Sequence, residues 1–130
     1  MAYIPPFEQL KQLAEITVVK DELRVSFSYE NFQEFVKRLI ASIPFDEEWY
    51  LEMNEDVRTA IENDQLESAA QHFIDIGYFE GRLPYAPEVD EEWYLQEYPD
   101  AAEAVESGEL ESAMHHFLDR GYREGRSPAP

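Results

Sequence analysis

Residues 45–84 and 89–128 align without a gap at a constant offset of 44, with 22 identities over 40 positions. The strongest blocks are Asp46-Glu47-Glu48-Trp49-Tyr50-Leu51 against Asp90-Glu91-Glu92-Trp93-Tyr94-Leu95, and Glu80-Gly81-Arg82 against Glu124-Gly125-Arg126. Self-similarity of this length means that one supersecondary unit is used twice, so any fold proposed for the chain must be buildable in tandem.

Within each unit the spacing predicts three short helices. Asp46 and Asp90 suit N-caps, because a short acceptor side chain reaches the orphan N–H groups of the first turn. The two glutamates that follow sit at the positive end of the helix dipole. A break comes at Asn54-Glu55-Asp56 and at Tyr98-Pro99-Asp100, where Pro99 fits the first turn of a second helix. Val57, Ala60 and Ile61, matched by Ala101, Ala104 and Val105, give that helix its apolar side. Gly108 is placed to end it, with Asp64 at the matching position. Leu66, Ala69, Ala70, Phe73 and Ile74 then recur at i, i+3, i+4, i+7 and i+8, as do Leu110, Ala113, Met114, Phe117 and Leu118, which predicts a third helix with one buried stripe. Gly77 and Gly121 are expected to stop it in the left-handed conformation. Gly81-Arg82 and Gly125-Arg126 then turn the chain before Pro84 and Pro128.

The first 44 residues follow another plan. Phe7, Leu10 and Leu13 space as a short helix after Pro5-Pro6. Residues 16–19 and 23–27 read as two strands around a Lys20-Asp21-Glu22 turn. Ser28 can cap a helix carrying Phe32, Phe35, Val36, Leu39, Ile40 and Ile43. The expected fold is mainly α: an α-β-β-α element over residues 1–44, then helical repeats over 45–88 and 89–130. A lone two-stranded hairpin is marginal in water, so it must pack on these helices or pair with a second chain. A homodimer through residues 1–44 is therefore expected as one solution. The remaining alternative makes this element a cap on one end of the repeats, which are expected to cover each other's apolar stripes.

Charge divides the chain at the same place. Residues 1–44 carry six acids and five bases, whereas residues 45–130 carry 23 acids and five bases. The formal net charge of −19 repels nucleic-acid phosphates and anionic lipids and favours a basic protein partner. With 44% hydrophobic residues the chain can form a packed core. No run approaches the length of a membrane span, and the start Met1-Ala2-Tyr3-Ile4-Pro5-Pro6 has no basic or apolar region of a secretory leader. Cysteine is absent, which removes disulfides, thiolate metal sites and cysteine nucleophiles. A cytoplasmic location is the expectation.

The pattern Asp-Glu-Glu-Trp-Tyr-Leu, Tyr-Pro-Asp, Ser-Ala-x-His-His-Phe and Gly-Tyr-x-Glu-Gly-Arg-x-Pro resembles a repeat of about 40 residues found in bacterial glycosyltransferases and other proteins of surface-polysaccharide production. The resemblance covers residues 45–128, and the first copy departs from it at Met53-Asn54-Glu55, where Tyr-Pro is missing. It implies a helical accessory module of the kind that stands beside catalytic domains, and it does not imply transferase activity.

Several residues invite chemistry. His72 and His116 occupy matching places, with His115 extra to the second copy, but no metal-binding spacing recurs in both units, so imidazoles hydrogen-bonded at the core edge are expected. The Asp-Glu-Glu triplets lack the alternating donors and glycine turn of a calcium loop and are read as helix starts. Trp49, Trp93 and the tyrosines are expected in the core rather than in a stacking surface. Arg82 and Arg126 are expected to pair with Glu80 and Glu124 or with helix-end carbonyls. Should any of these act outwardly, Arg82, Arg126, His72, His116, Tyr78 and Tyr122 are the candidates for partner contact. No catalytic constellation, phosphate loop or cofactor motif is recognisable. The expected function is a non-enzymatic, protein-binding adaptor or scaffold without cofactor or metal, linked by resemblance to polysaccharide production. An acidic inhibitor or immunity-type protein that blocks a basic partner or imitates nucleic acid is the alternative.

Overall fold

The computed structural model describes residues 3–130, which form eight α-helices and one two-stranded sheet. Met1 and Ala2, which open the stretch expected to carry no secretory leader, lie outside the described residues. Helix α1 (Phe7–Lys11) starts at Pro6 and leads into β1 (Glu15–Val19) and β2 (Glu22–Ser26), paired antiparallel with Ile16 opposite Val25 and Val18 opposite Leu23. The connecting Lys20-Asp21 both have positive φ, at 51° and 62°, so the turn has the primed form that matches the twist of a tight hairpin. Helix α2 (Tyr29–Ile40) is capped by Ser28, whose Oγ accepts from Asn31 N at 3.1 Å.

Each repeat then builds the same three-part unit. Helices α3 (Glu47–Met53) and α6 (Glu91–Glu97) are capped by Asp46 and Asp90, which accept from Trp49 N and Trp93 N at 3.0 and 3.1 Å. Helix α4 (Glu55–Glu62) corresponds to α7 (Pro99–Glu106), which has proline in its first turn. Asp64 and Gly108 follow these helices in left-handed conformations, as their shared position requires. Ser68 and Ser112 cap the last segments, α5 (Ala69–His72) and α8 (Ala113–His116).

Three expectations are corrected here. The third helix is not a uninterrupted α-helix: after one α turn it widens into a π turn over Phe73–Gly77 and Phe117–Gly121. Gly77 and Gly121 are not left-handed stops, since the positive-φ glycines are Gly81, Gly108 and Gly125. They are needed for room, because a Cβ on either would collide with the hydroxyl of Tyr50 or Tyr94. The repeats also cover each other's stripes only in part, through Leu83 of the first unit on the second cluster, while each keeps a buried cluster of its own. Tyr50, Val57, Ala69 and Phe73 form one buried cluster, and Tyr94, Ala101, Ala113 and Phe117 form the second.

Each cluster is closed by its own chain. Asp46 N donates to Pro84 O and Asp90 N to Pro128 O, both at 3.0 Å, so the last proline of a unit is tied to its first cap. Residues from outside the unit add a lid: Ile40 of α2 packs on the first cluster and Leu83 on the second. Full burial of a ring such as Phe73 or Phe117 contributes about 2–3 kcal/mol, which offsets part of the entropy of ordering the unit around it.

The N-terminal element is different again. All ten strand residues are exposed and α2 has no fully buried residue. Its attachment to the repeats runs through α2, with Ile40 on the first cluster and Lys37 3.7 Å from Asp75.

Candidate functional site

The polar residues singled out in the sequence converge, within each repeat, on one hydrogen-bonded frame. The hydroxyl of Tyr50 shares a hydrogen bond of 2.8 Å with Nδ1 of His72, and that of Tyr94 one of 2.7 Å with Nδ1 of His116. The π turn makes this possible: it carries the glycine backbone past the phenol, leaving the hydroxyl a narrow slot between imidazole and main chain. Burial pushes the Tyr50 phenol up to about 12 and raises Tyr94 as well, so both stay protonated. The same desolvation pushes His72 and His116 down, so both imidazoles are held neutral. His116 is fully enclosed and its Nε2 has no hydrogen-bond partner, whereas His72 is half-buried.

The arginines complete the frame from the surface side. Arg82 donates through both terminal nitrogens to the two oxygens of Asp56, each at 2.9 Å, and Arg126 does the same to Asp100 at 2.7 Å. Glu80 and Glu124, the partners expected from sequence, are present but secondary, at 3.5 Å from Nε of Arg82 and 2.9 Å from Nη2 of Arg126. Both expected glutamate pairs form, and the aspartate at the start of the second helix adds the main acceptor, because a planar guanidinium fork matches a carboxylate end-on. The guanidinium lowers Asp56 and holds the Asp100 carboxyl at about 2. Asp56 and Asp100 stand in the break segments of the aligned repeats, and their identity amid divergent neighbours is the sequence signal for this pairing.

Tyr78 and Tyr122 fall outside this frame. The Tyr78 ring meets Phe73 edge-on and the Tyr122 ring packs tilted against Phe117, and both line an open groove between the repeats with Leu83, Pro84 and Tyr85. Arg126 also borders that groove, while Arg82 borders another with Trp49 and Met53. The six sequence candidates are therefore not one site. Four are structural members of two frames, and two are groove aromatics. Trp49 and Trp93 are half-buried, and His115 is exposed.

Among the described residues no group of three or more His, Asp or Glu side chains is placed to hold a metal ion, and no helix is long and apolar enough to cross a membrane. Compared with protein families, curated proteins and solved structures, the chain gives no match.

Proposed function

We propose that the chain is a non-catalytic adaptor whose acidic repeats hold a protein partner with a basic surface. The observation that supports this is how the polar chemistry is spent: the histidines, their tyrosines and the two clamp arginines bond within their own repeat. Residues 45–130 carry 23 acids against five bases in all, and two of those bases are the clamp arginines, so carboxylates are in excess on what faces outward. A surface of that kind steers a basic partner at long range and rejects phosphate backbones. Self-association through residues 1–44 belongs to the same reading, since it would set two acidic bodies on one particle. The resemblance to accessory repeats of surface-polysaccharide proteins directs the search for the partner to that machinery.

The test is capture on the immobilised full chain followed by identification of what is held. A partner with a defined basic patch, released as ionic strength rises past the point where surface charges are screened, supports the reading. Binding indifferent to salt overturns it. If the captured protein is an enzyme silenced on binding, the chain is an inhibitor rather than an adaptor. Recovery of no envelope or glycosyltransferase component removes the polysaccharide link.

A further inference from the structure

Strand alternation sorts the hairpin into two unlike faces. Ile16, Val18, Leu23 and Val25 are cross-strand partners and share one face, whereas Glu15, Thr17, Arg24 and Ser26 lie on the other with Val19 and Glu22. The first face is wholly apolar and open, with exposures of 45%, 68%, 72% and 59% in that order. Phe27, next along on the same side of β2, turns inward against Phe32 and Phe35 of α2, so the helix covers only the end of the hairpin. A two-stranded sheet with four large aliphatic side chains in water is not stable by itself.

We propose that this face is where two copies of the chain join, hairpin on hairpin about a two-fold axis, with the two acidic bodies directed apart. The proposal deepens the adaptor reading, resting on it for residues 1–44 as the joining part, and names both the surface and its occupant. Charge selects the occupant. A basic partner is drawn to the repeats and finds almost no net charge on residues 1–44, which hold six acids and five bases. A second copy is repelled by the repeats, whose 23 acids face five bases, and meets least repulsion at the hairpin. A two-fold contact uses the same patch on both sides, which an apolar face of paired aliphatics satisfies without any matching charge.

Area is consistent with a weak-to-moderate dimer. Four such side chains remove on the order of 400 Å² from water per copy, about half of the roughly 800 Å² per partner in a stable interface. Phe7 on α1 and Tyr29 and Phe32 on α2, in the segments before and after the hairpin in sequence, are exposed at 70%, 74% and 47% and are large enough to supply the rest.

Sedimentation equilibrium on the full chain, from low micromolar to several hundred micromolar, tests this. The expected result is a monomer–dimer equilibrium that tightens as salt screens the repulsion between the repeats. Val18→Glu with Leu23→Glu should weaken it by about a hundredfold or more, while Thr17→Glu on the opposite face leaves it in place. Because Trp49 and Trp93 both lie in the repeats, their fluorescence reports whether the double variant keeps that part folded. A wild-type chain that stays monomeric throughout overturns the proposal, as does a double variant that dimerises normally or a dimer that loosens with added salt. Capture of a basic partner is read separately, and holds for monomer and dimer alike.

Discussion

In repeat 1 the residue that follows the first helix is Asn54, and in repeat 2 it is Tyr98. The two have no chemistry in common, yet each ties the helix end to the arginine clamp. Asn54 donates to Tyr50 O at 2.7 Å and accepts from Arg82 at 2.9 Å. Tyr98 instead lies under Arg126, with the guanidinium carbon 4.8 Å from its ring centre, and its hydroxyl accepts from Ser127 N at 2.9 Å. A hydrogen-bonded amide and a cation–π stack do the same positional work. The comparison separates what the unit cannot change, the Tyr–His–Gly slot and the Arg–Asp clamp, from a joint that admits more than one solution. It also shows repeat 2 to be the drier of the two, since His116 is sealed and His72 is not.

The largest effect should come from filling the slot. Gly77→Ala and Gly121→Ala should each destabilise by about 3 kcal/mol or more, because a Cβ cannot coexist with the tyrosine hydroxyl. Removing that hydroxyl in the same chain, with Tyr50→Phe or Tyr94→Phe respectively, should restore part of the loss, and urea unfolding followed by tryptophan fluorescence reads the non-additivity. Equal and additive losses would break the idea of a shared slot.

Tyrosine removal alone should separate the repeats. Tyr94→Phe strands the enclosed His116 and should cost about 2 kcal/mol, whereas Tyr50→Phe should cost about 1 kcal/mol, because water can reach the half-buried His72.

Acid sharpens the same contrast. The folded state lowers His116 below its ordinary value of 6.5, so the unfolded chain takes up the proton first. The stability this neutral imidazole contributes is therefore present above pH about 6.5 and is lost as pH falls toward the lower, folded value. The groups around it are Asp100, Glu124, Arg120 and Arg126, and its bonded neighbour Tyr94. With the Asp100 carboxyl held at about 2, the clamp keeps its charge through this range. Since acid also relieves repulsion across a chain of net charge −19, the quantity to measure is the difference in unfolding free energy between wild type and His116→Gln at several pH values. That difference should shrink on acidification, and a constant gap would count against a neutral, desolvated histidine.

The smallest effect belongs to the clamps. Asp56→Asn and Asp100→Asn should each cost about 1 kcal/mol or less, because the carboxylates are 66% and 59% exposed and screened by water. A much larger loss at either would move the clamp into the group of indispensable features.

Much of this architecture was legible in the residues. The caps at Asp46, Asp90 and Ser28, the proline at the start of α7, the hairpin and the buried aromatics all follow from local rules, because each needs only neighbours a few positions away. The π turns did not, since they go with a contact 27 residues distant, between the hydroxyl of Tyr50 and the backbone of Gly77. Glycine there looked like a stop because sequence spacing cannot tell a residue chosen for its torsion angles from one chosen for its lack of a side chain. The clamp was not legible for a similar reason: Asp56 and Asp100 stand out only as part of the break between two helices, and the fold pairs them with Arg82 and Arg126, 26 positions away.

The tie from each terminal proline carbonyl to the amide of its unit's opening aspartate has an evolutionary reading. A module tied at its own seam carries its closure with it when duplicated, although losing the first unit would strip Leu83 from the cluster of the second. Copy number in such a design is then limited at the contact between units, where Leu83 sits, and not at the closure of each unit.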